Sequence, residues 1–167
     1  IEARRLQPNV LTLDYMDVTV GEQTRPSVYF FEACDWVFKQ HGLPGNPWDR
    51  AVQFRDELIT RRFPADSGFT LGYRFTVRER VPNPLWIVVE RGDLYQIACN
   101  GQPLTAGKDW WLDRAFHRID ISRAAKVGEN IVTLTASPMT MWHEPAPAYL
   151  LGDFSLVSVA KGFEVVP

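Results

Sequence analysis

The segment FTLGYRFTV, from Phe69 to Val77, decides the fold class of this sequence. Aromatic and aliphatic residues occupy every second position of the segment, and polar residues or glycine lie between them. A β-strand directs alternate side chains to opposite faces, so this pattern is typical of a strand with one buried face. The segment therefore predicts a half-buried strand in a sheet that covers a hydrophobic core.

Strand patterns and turn signals continue on both sides of this segment. Asn100-Gly101 is a tight-turn dipeptide, because both residues tolerate positive φ. Segment 51–63, AVQFRDELITRRF, is compatible with a helix, but its interrupted alternation favours a strand. The other predicted strands are VLTLDYMDVTV (10–20), LWIVVER (85–91), LYQIACNGQPL (94–104), RIDIS (118–122), NIVTLTAS (130–137) and YLLGDFSLVSVA (149–160).

One helix is predicted over residues 28–41, within PSVYFFEACDWVFKQHG. Its apolar residues recur at helical spacing, with Ser27 as a candidate N-cap and Gly42 as a terminating residue. We interpret the aromatic stripe of this helix as packing rather than as a cofactor site. Many short strands with one early helix predict a mainly β fold, an antiparallel β-sandwich, in a single domain spanning residues 1–167.

The composition is that of an ordinary globular protein. The chain has 167 residues, of which 46% are hydrophobic and 23% charged, and its formal net charge is −2. Without a basic face, nucleic-acid binding is not expected. No apolar run approaches the roughly 20 residues that span a bilayer, so membrane insertion is not expected either. Cys34 and Cys99 are too few for a disulfide scaffold, and we expect two buried free thiols.

The order of several motifs resembles a known module, the galactose-binding-like jelly roll that forms the sugar-binding domain of family 2 glycoside hydrolases. The sequence looks most like the accessory β-sandwich domains of large bacterial α-L-rhamnosidase-type enzymes of family 106. The resemblance covers most of the chain, although residues 21–68 match only loosely. The motifs are FTLGYRFTV, LYQIACNGQPL, IDIS, VGEN and IVTLTA, supported by NVLTLDY, DWWLD and YLLGDFSL.

The resemblance implies a non-catalytic accessory domain of a carbohydrate-active enzyme. Such a domain is a piece of a larger multidomain chain, supports that chain's catalytic domain and can contact an oligo- or polysaccharide. It also implies a secreted, periplasmic or cell-surface location in a bacterium. Related domains often hold a structural calcium, but the sequence locates no such site. No cofactor motif is present, and His41, His117 and His143 lack the spacing of a transition-metal site.

Two loops carry the candidate carbohydrate-binding residues. The loop PMTMWHEPAPAY contains Trp142, His143 and Glu144, and the loop GNPWD contains Trp48 and Asp49. Pyranose rings stack their C–H faces on aromatic rings while their hydroxyls bind polar neighbours. The alternative is that both tryptophans cover the core or contact a neighbouring domain.

The sequence also allows two other functions: an autonomous carbohydrate-binding module and a small stand-alone glycosidase. A glycosidase needs two carboxyl groups about 5–9 Å apart, so two acids that are distant in the sequence would have to converge in the fold. The candidate acids are Asp109, Asp113, Asp120, Glu144 and Asp153.

The adjacent tryptophans of DWWLD form a sugar platform only if both side chains lie on one face. An extended strand would send Trp110 and Trp111 to opposite faces. Leu112 would share the side of Trp110, so Trp110 is the better core candidate and Trp111 is expected near a sheet edge or a domain contact.

Overall fold

A computed structural model describes residues 6–49 and 56–167 of the chain. Within these residues the chain forms thirteen β-strands and two α-helices. The strands are β1 (Asn9–Leu13), β2 (Tyr15–Val20), β3 (Gln23–Tyr29), β4 (Phe69–Val77), β5 (Leu85–Glu90), β6 (Gln96–Cys99), β7 (Gln102–Leu104), β8 (Trp110–Trp111), β9 (Asp113–Asp120), β10 (Gly128–Ala136), β11 (Ala148–Gly152), β12 (Ser155–Ser158) and β13 (Phe163–Val166), and the helices are α1 (Phe30–Gln40) and α2 (Asp56–Ile59).

The strands form two sheets that share one hydrophobic core. The first sheet has the order β1-β11-β5-β9-β8. The second contains β12-β13-β4-β10-β6-β7, with β2 on β4 and β3 on β2. Among the described residues the pairing is antiparallel except where Val165 meets Val77 in parallel. Buried side chains of both sheets belong to one core cluster, which confirms the predicted mainly β sandwich with one long helix.

Strand β4 has the predicted alternation. Its residues at positions 69, 71, 73, 75 and 77 are buried, whereas Arg74 is exposed. Strand β10 pairs with β4 along its whole length, from Gly128 opposite Val77 to Ala136 opposite Phe69. Gly72 is buried, and a Cβ added at this position would lie 3.0 Å from the Ile131 side chain of the neighbouring strand. A glycine therefore suits this position on the outer face of β4.

The predicted strand over residues 10–20 is two strands in different sheets. Strand β1 pairs with β11, and β2 pairs with β3 and β4. The chain passes from one sheet to the other at Asp14, which interrupts the alternation. As a result Tyr15 is exposed and Met16 is buried, and the alternation of one continuous strand does not extend across Asp14. Segment 149–160 is likewise divided, into β11 and β12, and neither β3 nor β13 was predicted.

Helix α1 is shorter at its start than the sequence predicts. Ser27 is not its N-cap, because Ser27 lies in β3 with φ 49°, and the N-cap position is Tyr29. The helix ends as predicted, since Gly42 follows with φ 78° and its N–H donates to the Lys39 carbonyl. The buried face of the helix comprises Ala33, Cys34, Trp36, Val37 and Phe38.

The preference for a strand over residues 51–63 is wrong where the structure can test it. Asp56–Ile59 is a short helix, and residues 60–63 form no strand. The first part of the segment lies outside the described residues. The helix formers of DELI therefore decide the local structure rather than the weak alternation around them.

Two predicted turn motifs have their expected structural roles. Asn100 and Gly101 have φ of 51° and 81° and connect β6 to β7 as a tight hairpin. The Ser122 N–H donates to Asp120 Oδ1 at 2.8 Å, and the Leu85 N–H donates to Ser122 Oγ at 2.8 Å. The side chains of IDIS thus bind backbone groups and link β9 to the start of β5.

The prediction for the tryptophan pair of DWWLD is wrong in its assignment of Trp110. Trp110 is 48% exposed, whereas Trp111 is half-buried and lies 5.8 Å from the Tyr149 ring. The register shifts between these two residues, and Leu112 has φ 65°. The pair is therefore not an ordinary extended strand, and alternation does not decide its burial.

Both cysteines are buried and free, as predicted. Burial raises the pKa of the Cys99 thiol to about 11, which keeps it protonated and unreactive. In the described part of the chain, no helix has the length and apolarity needed to cross a bilayer.

The Asn130 side chain supports the turn between β9 and β10. It is 2% exposed, its Oδ1 accepts from the Lys126 N–H and from Asn100 Nδ2, and its Nδ2 donates to the Lys126 and Gly128 carbonyls. Each buried group left without a partner costs about 1–3 kcal/mol.

We expect Asn130→Ala to lower the free energy of unfolding by about 2–4 kcal/mol, because it leaves several of these groups unpaired. Urea unfolding measures the change, and Glu129→Ala, at the exposed neighbouring position, is the control. An Asn130→Ala protein as stable as the control would show that the network contributes little.

Candidate functional site

The structure brings the two predicted loops together through their tryptophans. Trp48 and Trp142 stack with ring centroids 5.4 Å apart and an interplanar angle of 18°. Trp48 Nε1 donates to the Met141 carbonyl at 2.8 Å. Residues almost one hundred positions apart in sequence therefore form one aromatic unit, which we call the tryptophan pair.

The first loop is held by Asn46 and by close packing on helix α1. A Cβ at Gly45 would lie 2.5 Å from Asp35 Oδ1, so a larger residue at this position would displace the Asp35 side chain of helix α1. Asn46 is buried, accepts from the Trp48 N–H and donates to Asp49 Oδ1 and Glu144 Oε1. This side chain orients Trp48 and connects the first loop to the second.

The second loop alternates between buried and exposed residues as a strand would. Met139, Met141 and His143 are buried, whereas Trp142 and Glu144 are exposed. The loop follows β10 and is attached to the core where the buried Tyr73 hydroxyl donates to the Ala146 carbonyl at 2.6 Å. The alternation places Trp142 and Glu144 together on the outside.

His143 lies beneath the site rather than in it. It is 3% exposed, and its Nε2 lies 2.8 Å from the Leu94 carbonyl while the Thr140 N–H donates to Nδ1 at 2.9 Å. These partners require a neutral ring with its proton on Nε2. Both ring nitrogens are occupied by backbone partners, so His143 supports the loop from inside and does not face the pocket as a sugar ligand would.

A pocket of about 500 Å³ lies beside the tryptophan pair. Both tryptophans, Glu144 and four residues outside the predicted loops line it: Glu90, Arg91, Tyr95 and Ala115. Asp49 is exposed beside Glu144 and accepts from Asn46, although it is not part of the pocket wall.

The chain turns sharply where Arg91 enters the pocket wall. Arg91 has φ 48°, and its N–H donates to the Ala115 carbonyl at 2.8 Å. A Cβ at Gly92 would lie 2.9 Å from Val89 and 3.2 Å from His117, so glycine is needed there. The Arg91 guanidinium is paired with the Asp93 carboxylate at 3.2 and 3.3 Å.

The pKa of the Glu144 carboxyl is raised above its ordinary value. Partial burial raises the pKa of its carboxyl, the negative charges of Glu90 and Asp49 raise it further, and the hydrogen bond from Asn46 opposes the rise. Cys34 Sγ also lies 4.0 Å from Glu144 Oε1, within reach of a weak S–H bond. The carboxylates around this pocket therefore influence one another electrostatically.

Three of the other candidate acids have structural partners elsewhere. Asp109 pairs with Arg118 at 2.9 Å, Asp113 accepts from the Ala115 N–H, and Asp120 accepts from Ser122. Of the acids that the sequence offered, Glu144 is the one that lines the pocket, and Glu90 was not among them. Within residues 6–49 and 56–167, His, Cys, Asp and Glu side chains form no group that could hold a metal ion.

The fold is a β-sandwich, and its pocket is lined by aromatic and acidic residues. The comparisons with known proteins concern this fold. No protein-family model matches the sequence. No curated protein matches it either. Solved structures that resemble it are glycoside hydrolase chains at low sequence identity.

An FMN-binding β-glucuronidase from Facaelibacterium prausnitzii L2-6 matches with a TM-score of 0.51 and 10% identity, over 96% of this chain and 28% of that chain. A β-glucuronidase from an uncultured Clostridium sp. has a TM-score of 0.45 and 14% identity over 96% and 33% of the two chains. An α-L-rhamnosidase from Dictyoglumus thermophilum has a TM-score of 0.33 and 13% identity over 59% and 12%. The chain thus spans a third or less of the length of these proteins, and the first comparison supports the sandwich fold alone.

The neutral state of His143 predicts a pH dependence of stability. Burial lowers the pKa of His143 below its ordinary value of 6.5, so the unfolded chain binds this proton more readily than the folded protein. The contribution of neutral His143 to the free energy of unfolding is complete above pH 6.5. It is lost as the pH falls below 6.5, by at most about 1.4 kcal/mol per pH unit.

Urea unfolding at several pH values therefore shows a smaller acid-induced loss of stability in His143→Gln than in the unmodified protein. His41→Gln is the control, since it leaves His143 in place. If the stability of His143→Gln and of the unmodified protein changed identically with pH, the conclusion that His143 is neutral in the folded protein would be contradicted.

Proposed function

We propose that this chain is a non-catalytic β-sandwich domain of a carbohydrate-active enzyme. In this proposal it supports the enzyme's catalytic domain and contacts glycan through the pocket beside the tryptophan pair. The resemblance to α-L-rhamnosidase-type accessory domains is one form of this proposal, and a bacterial secreted or cell-surface location would accompany it.

The stacked Trp48 and Trp142 rings beside the pocket are the observation that carries the glycan contact. An aromatic face binds the apolar C–H face of a pyranose, and the surrounding charged groups can bind its hydroxyls. Trp142 is 46% exposed, while its partner Trp48 is fixed by Asn46 and Met141. A ring that is held in place before binding loses little conformational entropy when the sugar arrives.

The domain's position in a larger chain is supported by the comparison with solved structures. Almost all of this chain matches about a quarter of a β-glucuronidase chain, which fits one domain among several. The likeness concerns the fold, so the substrate of that enzyme is not transferred to this chain.

A surface group of aromatic side chains supports the contact with a catalytic domain. The group, which we call the aromatic patch, consists of the exposed Tyr15, Tyr29 and Phe31 and the half-buried Phe30. Consecutive ring centroids from Tyr15 through Tyr29 and Phe30 to Phe31 lie 4.6–5.5 Å apart. Contiguous exposed apolar surface commonly marks a protein–protein contact.

If the glycan contact is correct, Trp142→Ala weakens the binding of any oligosaccharide that the unmodified chain binds by at least about tenfold, because the stacking face is lost. Titration calorimetry against a panel of neutral, amino and acidic oligosaccharides measures this change. Trp110→Ala is a matched control, since Trp110 is 48% exposed and is not part of the pocket wall.

Equal affinities for Trp142→Ala and Trp110→Ala would contradict the glycan contact at this pocket. Turnover of aryl glycosides by the chain alone would instead favour a stand-alone glycosidase, for which Glu90 and Glu144 in one pocket are the relevant acids. Oligosaccharide binding without any interdomain contact would favour an autonomous carbohydrate-binding module.

If the aromatic patch contacts a catalytic domain, Tyr15 and Phe31 are protected in the longer gene product. Hydroxyl-radical footprinting, which labels exposed side chains, should then show severalfold slower oxidation of these residues than in the 167-residue chain. Phe163 is a reference, since its 50% exposure is similar to the 55% of Tyr15 and the 54% of Phe31. Unchanged oxidation of the patch relative to Phe163 would exclude this docking surface.

A further inference from the structure

The charges around the pocket are unevenly distributed. Glu90 and Glu144 both line it, and Asp49 lies close enough to Glu144 to influence its ionisation. Each of these carboxylates belongs to a different segment: Glu90 ends β5, Asp49 ends the first loop and Glu144 lies in the second. The fold therefore concentrates acids that are distant in the sequence.

Among residues 6–49 and 56–167, Arg91 is the cation that lines the pocket, and it does not offset this negative charge. Arg91 is held by Asp93 through both carboxylate oxygens, so its charge is compensated by a further acid. A carboxylate-bearing ligand would meet Glu90 and Glu144 and find a guanidinium that is already paired. The electrostatics therefore disfavour acidic sugars in this pocket.

A protonated amine has the opposite properties. An ammonium group donates three hydrogen bonds and accepts none, which suits a wall of carboxylates. Charge-assisted hydrogen bonds are stronger than those between neutral groups. Aromatic faces also attract cations, and Trp48, Trp142 and Tyr95 all line the pocket.

We infer that this pocket recognises a sugar carrying a free, protonated amino group, with the ring on the Trp142 face and the ammonium between the Glu90 and Glu144 carboxylates. This inference rests on the proposed glycan contact and adds the chemical class of the sugar.

The test is a comparison of sugars that differ in a single group. Titration calorimetry near neutral pH measures binding of glucosamine oligomers, N-acetylglucosamine oligomers of equal length and glucuronate-containing oligomers. We expect the glucosamine oligomer to bind about tenfold more tightly than the acetylated one, because acetylation removes the charge. The glucuronate oligomer should bind most weakly, and added salt should reduce the preference for the amine.

Isosteric variants locate the source of the preference. Glu90→Gln and Glu144→Gln keep the shape of the side chain, and the new amide oxygen at position 144 can still accept from Asn46. Each variant should weaken glucosamine binding about tenfold and weaken binding of the acetylated oligomer much less, because only the amine loses a charge partner. Glu22→Gln removes the same charge at the exposed turn between β2 and β3 and should change neither affinity.

The outcomes separate this inference from the function on which it rests. Equal binding of the amino and acetylated oligomers, lost in Trp142→Ala, would overturn the inference and keep the glycan contact. A preference for the amine that survives both Glu90→Gln and Glu144→Gln, or tighter binding of the glucuronate oligomer, would overturn it as well. Failure of every oligomer to bind would overturn both the inference and the glycan contact.

Discussion

The pairing of β4 with β10 is the constraint on which the rest of the structure depends. These nine-residue strands run antiparallel in register, and their inward side chains occupy the centre of the core. The same β4 carries β2 and β13 on its other edge, so it connects the early and late parts of the chain. A one-residue slip of β10 would turn its buried Val132 and Leu134 to the outer face, which makes the register strongly specified.

The pocket depends on this register through the loop that follows β10. Ala136 ends the strand, residues 139–145 alternate inward and outward, and Tyr73 of β4 binds the Ala146 carbonyl. Both ends of the loop are therefore attached to the same pair of strands. Asn46 then couples this loop to the one after helix α1, so the tryptophan pair is a consequence of the sheet and of one buried amide.

The sequence predicted those features that local patterns determine. Alternation located β4, and Asn100-Gly101 located a hairpin, because both depend on neighbouring residues. The prediction failed where the local pattern meets a tertiary constraint: the chain changes sheets at Asp14, and the register shift beside Trp111 exposes Trp110. In the site, the composition of the loops pointed to Trp48 and Trp142. Glu90, Arg91 and Tyr95 lie at or next to strand ends, and alternation does not predict that these strand ends lie beside the two loops. The alternation of MTMWHE was a usable signal that His143 lies inward.

The two exposed aromatic regions differ in how firmly the rest of the protein holds them. In the tryptophan pair, Trp48 is fixed by hydrogen bonds from both its backbone and its ring, and buried His143 fixes the loop beneath Trp142. In the aromatic patch, Phe30 packs against the core, whereas the exposed rings of Tyr15, Tyr29 and Phe31 contact neighbouring rings of the patch. Recognition of a small, polar ring needs a fixed geometry, because each misplaced hydrogen bond costs affinity. A protein contact tolerates side chains that adjust on binding. The difference in support therefore fits the proposed glycan contact at the pocket and the proposed protein contact at the patch.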